Sequence, residues 1–283
     1  MEAREKSDQF RFVSLLALEL DNGDISLPSL PDVVLKIRNM LERDDCDFGR
    51  ISKAVSVDPV LVSKLFVFAN SALYNRANVK IEDLDTAIGR LGFEVVRNTA
   101  MSLAMKQLYD SDKHQKTAKL QRKVWAHGMK LSSMAYAVAQ RHPGLNQESA
   151  FLCGLMNEIG KLYILTKAED FPEFLGNPSS LNLVLEEWNP QISKSIIESW
   201  GFPEEVVQSA DPASYVDQDP ESVPSLADVI VVARLLIDGN EAKLEKIFEE
   251  DASCRKLGLN EESAAELMSG YREKLQTMQQ SLG

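Results

Sequence analysis

The chain has 283 residues, of which 31 are Lys or Arg and 43 are Asp or Glu, giving a formal net charge of −12. A composition that is 44% hydrophobic and 26% charged excludes a disordered polymer and supplies a real core without staples, while the acidity argues against broad binding to nucleic acid or anionic membranes. Cys46, Cys153 and Cys254 are odd in number, far apart and without a CxxC pair, and no apolar run has the length of a signal peptide or membrane span; both features point to the reducing cytoplasm.

Helical periodicity dominates and strict alternation is nearly absent. An amphipathic run through Phe10, Val13, Leu16, Ala17 and Leu20 stops at Asn22-Gly23. Pro31 suits the first turn of a helix carrying Val33, Val34, Ile37, Met40 and Leu41. Asp47 is placed to cap a short helix with Phe48, Ile51, Ala54 and Val55, and Asp58-Pro59 starts another with Leu61, Leu65, Phe68 and Ala69. Residues 70–78 read as a loop. Asp83 caps a helix through Leu84, Ala87, Ile88 and Leu91, closed by a left-handed Gly92, and a further helix carries Phe93, Val96, Ala100, Leu103 and Ala104.

The polar stretch from Asp110 to Lys123 is the best internal boundary. Beyond it a long helix runs from Val124 to Pro143-Gly144, and Asn146 caps one continuing through Phe151, Leu155, Ile159 and Leu162. Separate helices follow at Leu181–Glu187, Gln191–Trp200 (closed by Gly201), Glu204–Ser209, Leu226–Ile237, Leu244–Glu249 and Ala264–Gln279. The sum is an all-α chain of about a dozen helices in two lobes, joined near residues 110–120.

Three blocks carry a family resemblance. They are Leu27-Pro28-Ser29-Leu30-Pro31, Ser56-Val57-Asp58-Pro59 leading to Ala69-Asn70-Ser71-Ala72, and Ala87-Ile88-Gly89-Arg90-Leu91-Gly92, followed by Trp125-Ala126-His127 and Ala150-Phe151-Leu152-Cys153-Gly154-Leu155. In order and spacing they resemble the HDOD family, the HD-related output domain of bacterial signalling proteins. The resemblance implies a helical lobe over 27–110 set against a lobe over 115–239 that is similar to an HD-domain phosphohydrolase core. Residues 1–26 and 240–283 are then helical extensions, and a stand-alone signalling module is expected because no receiver precedes Leu27.

HD phosphohydrolases share a His, a His-Asp pair and a later Asp that hold one or two cations and activate water against a phosphoester. By resemblance His127 stands at the first position, Asn157-Glu158 at the pair and Arg234 at the last. An amide is a poor transition-metal ligand and a guanidinium repels a cation, so the site is expected to be degenerate, with no catalytic residue, metal or cofactor. Glu158 would then need a new counter-charge, and Arg234 is placed to give it. The competing expectation has Arg234 in solvent and Asn157 and Glu158 bonded to nearby backbone.

Other features have plainer readings. His127 is expected to be an internally bonded histidine, the Lys113–Lys123 cluster a solvated face, and Cys153 a core residue. Phe48–Phe68 has helix-turn-helix rhythm, but its second helix offers only Lys64, so nucleic acid is not an expected partner. Leu73 and Tyr74 in the 71–76 loop are the expected interaction surface. The function expected is non-catalytic signal transduction, through a signalling protein partner or a small ligand between the lobes. The alternative is a metal-dependent phosphohydrolase or cyclic-dinucleotide phosphodiesterase with an atypical site.

Overall fold

A computed structural model describes residues 2–25, 30, 32–41, 48–110, 116–239 and 248–282, and these contain helices and connections but no strand. The expected features at Leu27–Ser29, Pro31, Cys46, Asp47, Lys113 and His114, and most of the Leu244–Glu249 helix, lie outside the described residues.

The first lobe is built from α2 (Asp32–Leu41), α3 (Phe48–Val55), α4 (Pro59–Ala69), α5 (Leu84–Leu91) and α6 (Phe93–Tyr109). Its starts follow the capping rule: Asp58 accepts from the Val60 and Leu61 amides, and Asp83 from the Thr86 amide. Gly92 has φ +79° and ends α5, but its ψ of 163° is extended rather than left-handed helical. The reason is that Gly92 also opens α6, so the chain must leave one helix and enter the next at a single residue. The outer face of α4 shows Val60 and Val67, with Lys64 between them as its one basic residue.

The second lobe contains α7 (Ala118–Gln140), α8 (Gln147–Met156), α9 (Ile159–Ala168), α10 (Pro172–Leu175), α11 (Pro178–Ser199), α12 (Glu204–Ser209) and α13 (Leu226–Asp238). After it come α14 (Ala252–Lys256) and α15 (Glu261–Leu282). One apolar core runs through both lobes. The leading helix, α1 (Glu2–Asp21), packs not on the first lobe but on the second. Phe12, rather than the 74%-exposed Phe10, joins Leu16 in the core, with ring centroids 5.2 Å from Phe171 and 4.7 Å from Phe174.

Four further expectations need correction. Helix α7 begins at Ala118, so residues 118–123 of the polar stretch belong to a helix rather than to a linker. The helix expected from Asn146 to Leu162 is two, broken at Asn157-Glu158. The two helices expected on either side of Pro190 are one. Pro190 has no N–H for the Glu186 carbonyl, yet α11 continues, because Asn189 and Ser193 are held from outside by the break between α8 and α9. Finally, Tyr74, expected to be exposed in its loop, is half-buried. Its ring meets Phe68 edge-on at 6.4 Å and its hydroxyl reaches Glu148 at 3.2 Å, since a buried carboxylate needs donors; Leu73 is half-buried.

Gly154 sets the crossing of α8 on α7: a Cβ there would lie 2.5 Å from the Ser132 Cα. Gly128, also in that contact, leaves a Cβ 3.7 Å from the nearest atom, the Leu155 carbonyl oxygen. Gly154→Ala is expected to cost about 3 kcal/mol or more in urea unfolding, from overpacking. Gly128→Ala should be neutral, or stabilising by up to about 1 kcal/mol from helix propensity.

Candidate functional site

The break between α8 and α9 is made by polar groups from α11. In an unbroken helix the Gly160 and Lys161 amides would bond the carbonyls four residues back. Here the Gly160 amide donates to Ser193 Oγ at 2.9 Å and the Lys161 amide to Asn189 Oδ1 at 3.1 Å, while the Asn157 carbonyl accepts from Asn189 Nδ2 at 2.9 Å. Gly160 permits this contact, since a Cβ would stand 2.6 Å from the Asn189 carbonyl oxygen. The result is a tight turn that aims the Asn157 and Glu158 side chains across the lobe.

Both side chains are 1% exposed, and both meet Arg234 from α13. Arg234 Nη2 donates to Glu158 Oε1 at 2.6 Å, and Nη2 and Nε both reach Asn157 Oδ1, the latter at 3.2 Å. The expected guanidinium–carboxylate pair is therefore present. Part of the competing expectation holds too, because Asn157 Nδ2 donates to the Ser209 carbonyl at 2.9 Å. The remaining Glu158 oxygen, Oε2, is 2.9 Å from Lys161 Nζ, which also donates to Glu186 at 2.6 Å. Burial alone would raise the Glu158 pKa; His127, Arg234 and Lys161 overcome it and hold the carboxyl at about 2.

His127 stands on α7 between two carboxylates. Its Nδ1 is 3.6 Å from Glu158 Oε1, longer than a hydrogen bond, and its Nε2 is 3.0 Å from Asp238 Oδ1 at the end of α13. Glu158 first and Asp238 second raise the imidazole pKa against the effect of burial. From the first lobe, the Tyr109 hydroxyl donates to the Glu158 backbone carbonyl at 3.1 Å.

These groups form one wall of a cavity of about 770 Å³. Leu120, Val124, Leu175 and Leu181 give it an apolar side, and Lys119 and Lys123 stand at its mouth. All lining residues fall between 119 and 238, so the space lies within the second lobe. Lys119 and Lys123 belong to the cluster read from sequence as a solvated face, and they are exposed while also lining the cavity.

The residues present do not fit a divalent cation. Both Glu158 oxygens already carry cationic side chains, and the two His127 nitrogens face different carboxylates. No three His, Cys, Asp or Glu side chains among the described residues are grouped to hold a metal. Cys153 is buried in α8 and burial pushes its thiol up to about 12, so it is a packing residue. The sequence reading missed Lys161, Asp238, Asn189 and Ser193. Helical spacing puts Lys161 three residues past Glu158, Asp238 four past Arg234, and Asn189 and Ser193 four apart, but such spacing is common and does not by itself bring them to the site.

The family model of the HDOD domain matches residues 27–214. The chain belongs to the HDOD domain family. A curated relative of this HDOD protein, an uncharacterised protein of Treponema pallidum (strain Nichols), is 22% identical over 236 residues, covering 78% of this chain and 44% of the relative. The chain thus spans less than half the length of that relative. Among solved structures, a protein of Shewanella amazonensis SB2B named a metal-dependent phosphohydrolase superposes with a TM-score of 0.81 at 24% identity, covering 98% of this chain and all of the other. An HDOD domain protein of Geobacter sulfurreducens gives 0.65 at 21% identity, covering 94% and 97% of the two chains. A Marinobacter aquaeolei VT8 protein named a signal transduction protein gives 0.63 at 21%, covering 98% of this chain and 65% of that one. At these identities the likeness is one of fold, and the HDOD protein shares the all-helical HD-like architecture. No helix among its described residues is long and apolar enough to cross a membrane.

Arg234→Ala leaves Lys161 and His127 beside Glu158, so its expected cost is about 3 kcal/mol, the low end for breaking a buried pair. In a Glu158→Gln background the same change should cost under about 1 kcal/mol, as a double-mutant cycle in urea will show. The two titrating groups give stability opposite pH dependences. Glu158, lowered, contributes fully above about pH 4.3 and loses its contribution as pH falls toward about 2; His127, raised, contributes fully below about pH 6.5 and loses it as pH rises through its folded value. Melting temperatures should therefore fall more steeply in acid for the wild type than for Glu158→Gln, and more steeply in alkali than for His127→Gln.

Proposed function

We propose that this HDOD protein is a non-catalytic signal-transduction module that acts by binding. The observation that carries the reading is the Arg234 guanidinium on the Glu158 carboxylate, 2.6 Å away, at positions that by resemblance would be metal ligands. An organic cation does there what a dication would do for charge, but offers no open coordination position to water. The cavity beside the pair, lined by apolar side chains together with Lys119 and Lys123 and the carboxylates of Glu186 and Asp238, supports a small polar organic molecule as the bound species. A fold neighbour named as a signal transduction protein supports the signalling role. A signalling protein as the partner is the other form of the same reading, and the cytoplasm is its proposed compartment.

The competing reading is metal-dependent phosphohydrolysis, the activity in the name of the Shewanella fold neighbour. Purified protein incubated with Mn²⁺ or Mg²⁺ is expected to leave cyclic di-GMP and an aryl phosphate intact, and to retain no stoichiometric metal after desalting. Metal-dependent turnover that disappears in His127→Ala would overturn the proposal.

A further inference from the structure

The cavity of the second lobe has a direction. Helices α9 and α11 pack antiparallel, since Gly160 and Lys161 bond Ser193 and Asn189 in reverse order along the two helices. Helix α9 also runs antiparallel to α7. Glu158 at its start faces His127, and Glu169 beyond its last turn accepts from the Thr117 amide at the head of α7 at 3.0 Å. Helices α7 and α11 therefore run parallel, and their first turns stand at the same end of the cavity they line.

The two ends differ in charge. Lys119 and Lys123 line the end near the first turns, and no acid lines it with them. They are one turn apart on α7, and neither is ion-paired with a described residue, so both ammonium groups can turn onto one anionic group. The other end holds three acids, Glu158, Glu186 and Asp238, and the three bases His127, Lys161 and Arg234, which pair with them. Glu158 is buried, but the Glu186 and Asp238 side chains are 65% and 52% exposed and keep room to accept from a second cation. Eight residues of α7 separate Lys119 from His127, so the two ends lie about 12 Å apart.

Between them the walls are aliphatic. Leu120 and Val124 of α7 face the cavity from one side, and Leu181 and Leu185 of α11 from the other. Asn182, midway along the α11 wall, is exposed and bonds no described residue, which leaves its amide donor and acceptor for an occupant. Among the described lining residues there is no Phe, Tyr or Trp, so a flat base has no such ring to stack on. An extended peptide presents the matching sequence of groups: a carboxylate, aliphatic side chains with backbone amides between them, and an ammonium. It covers about 3.3–3.6 Å per residue, so three or four residues span the cavity.

We infer that the cavity is a site for a short aliphatic peptide with free termini, its carboxylate on Lys119 and Lys123 and its ammonium toward Glu186 and Asp238. The inference rests on the reading that the protein acts by binding, and it supplies that reading with a ligand class.

The test is isothermal titration of the full chain with the tripeptide leucyl-alanyl-leucine, its C-terminal amide, its N-acetyl form, and an aminooctanoate with a terminal amine. The free tripeptide should bind, and each blocked form should bind at least tenfold more weakly. In Lys119→Gln/Lys123→Gln the free acid and the amide should bind alike, and in Glu186→Gln the penalty for N-acetylation should shrink. These side chains are exposed, so the variants are expected to keep the wild-type melting temperature to within a few degrees. The inference is overturned if the free tripeptide does not bind, if blocking either terminus changes nothing, or if the variants discriminate between the forms as the wild type does. Aminooctanoate binding as tightly as the tripeptide would overturn the peptide as occupant, since an alkyl chain makes no use of Asn182. None of these results touches the binding reading itself, which falls only to metal-dependent turnover, so the two fail separately.

Discussion

The Glu158 carboxylate lies almost wholly out of water, and the second lobe is arranged around the need to neutralise it. Three helices answer that need. Helix α13 brings Arg234, α9 brings Lys161 from one turn away, and α7 brings His127, whose far nitrogen is held in turn by Asp238. The carboxylate can reach all of them only because the chain turns sharply at Asn157-Glu158 instead of continuing as helix. That turn depends on Asn189 and Ser193 of α11 taking over the backbone groups it frees, and on Gly160 letting α11 come close enough to do so. A charge requirement at one atom group thus dictates a helix break, a glycine and the mutual placement of four helices.

The same helix carries a second buried carboxylate at its other end. Glu148 opens α8 and gathers Asn98, Tyr74 and Lys274, while Glu158 follows its last turn. The first joins both lobes to the C-terminal helix, and the second faces the cavity. Tyr109 also connects the first lobe to the Glu158 backbone. Helix α8, locked against α7 through Gly154, is therefore a rigid rod between the inter-lobe junction and the cavity wall.

Much of the site was legible from residues alone, because its charge logic is local to a few motif positions. An acid at 158 and a base at 234 in an otherwise ligand-like arrangement predict a pair, and the pair is there. The charged groups that complete the site were harder to see. Lys161 and Asp238 are common surface residue types, and only the fold shows that one is buried against Glu158 and the other turned onto His127. The burial of Tyr74 depends on the fold in the same way. A tyrosine in a loop reads as available, but its hydroxyl is drawn inward by Glu148 and Lys274, which lie 74 and 200 residues away along the chain.

Sequence by itself determined the helical class, most helix starts and the family, because periodicity, N-caps and motif spacing are encoded within a few turns of chain. Asp58, Asp83, Asn146 and Ser225 cap where short-range chemistry says a helix begins, although Ser225 acts through a capping box with Asp228 that reading by periodicity passed over. Tertiary structure alone decided where helices failed to follow their own periodicity. The apolar spacing from Phe151 to Leu162 is continuous, yet the helix breaks between them; Pro190 should end a helix, yet it does not. Each outcome is set by hydrogen bonds between α11 and the 157–161 turn, and bonds between residues some thirty positions apart leave no local pattern in the chain that makes them.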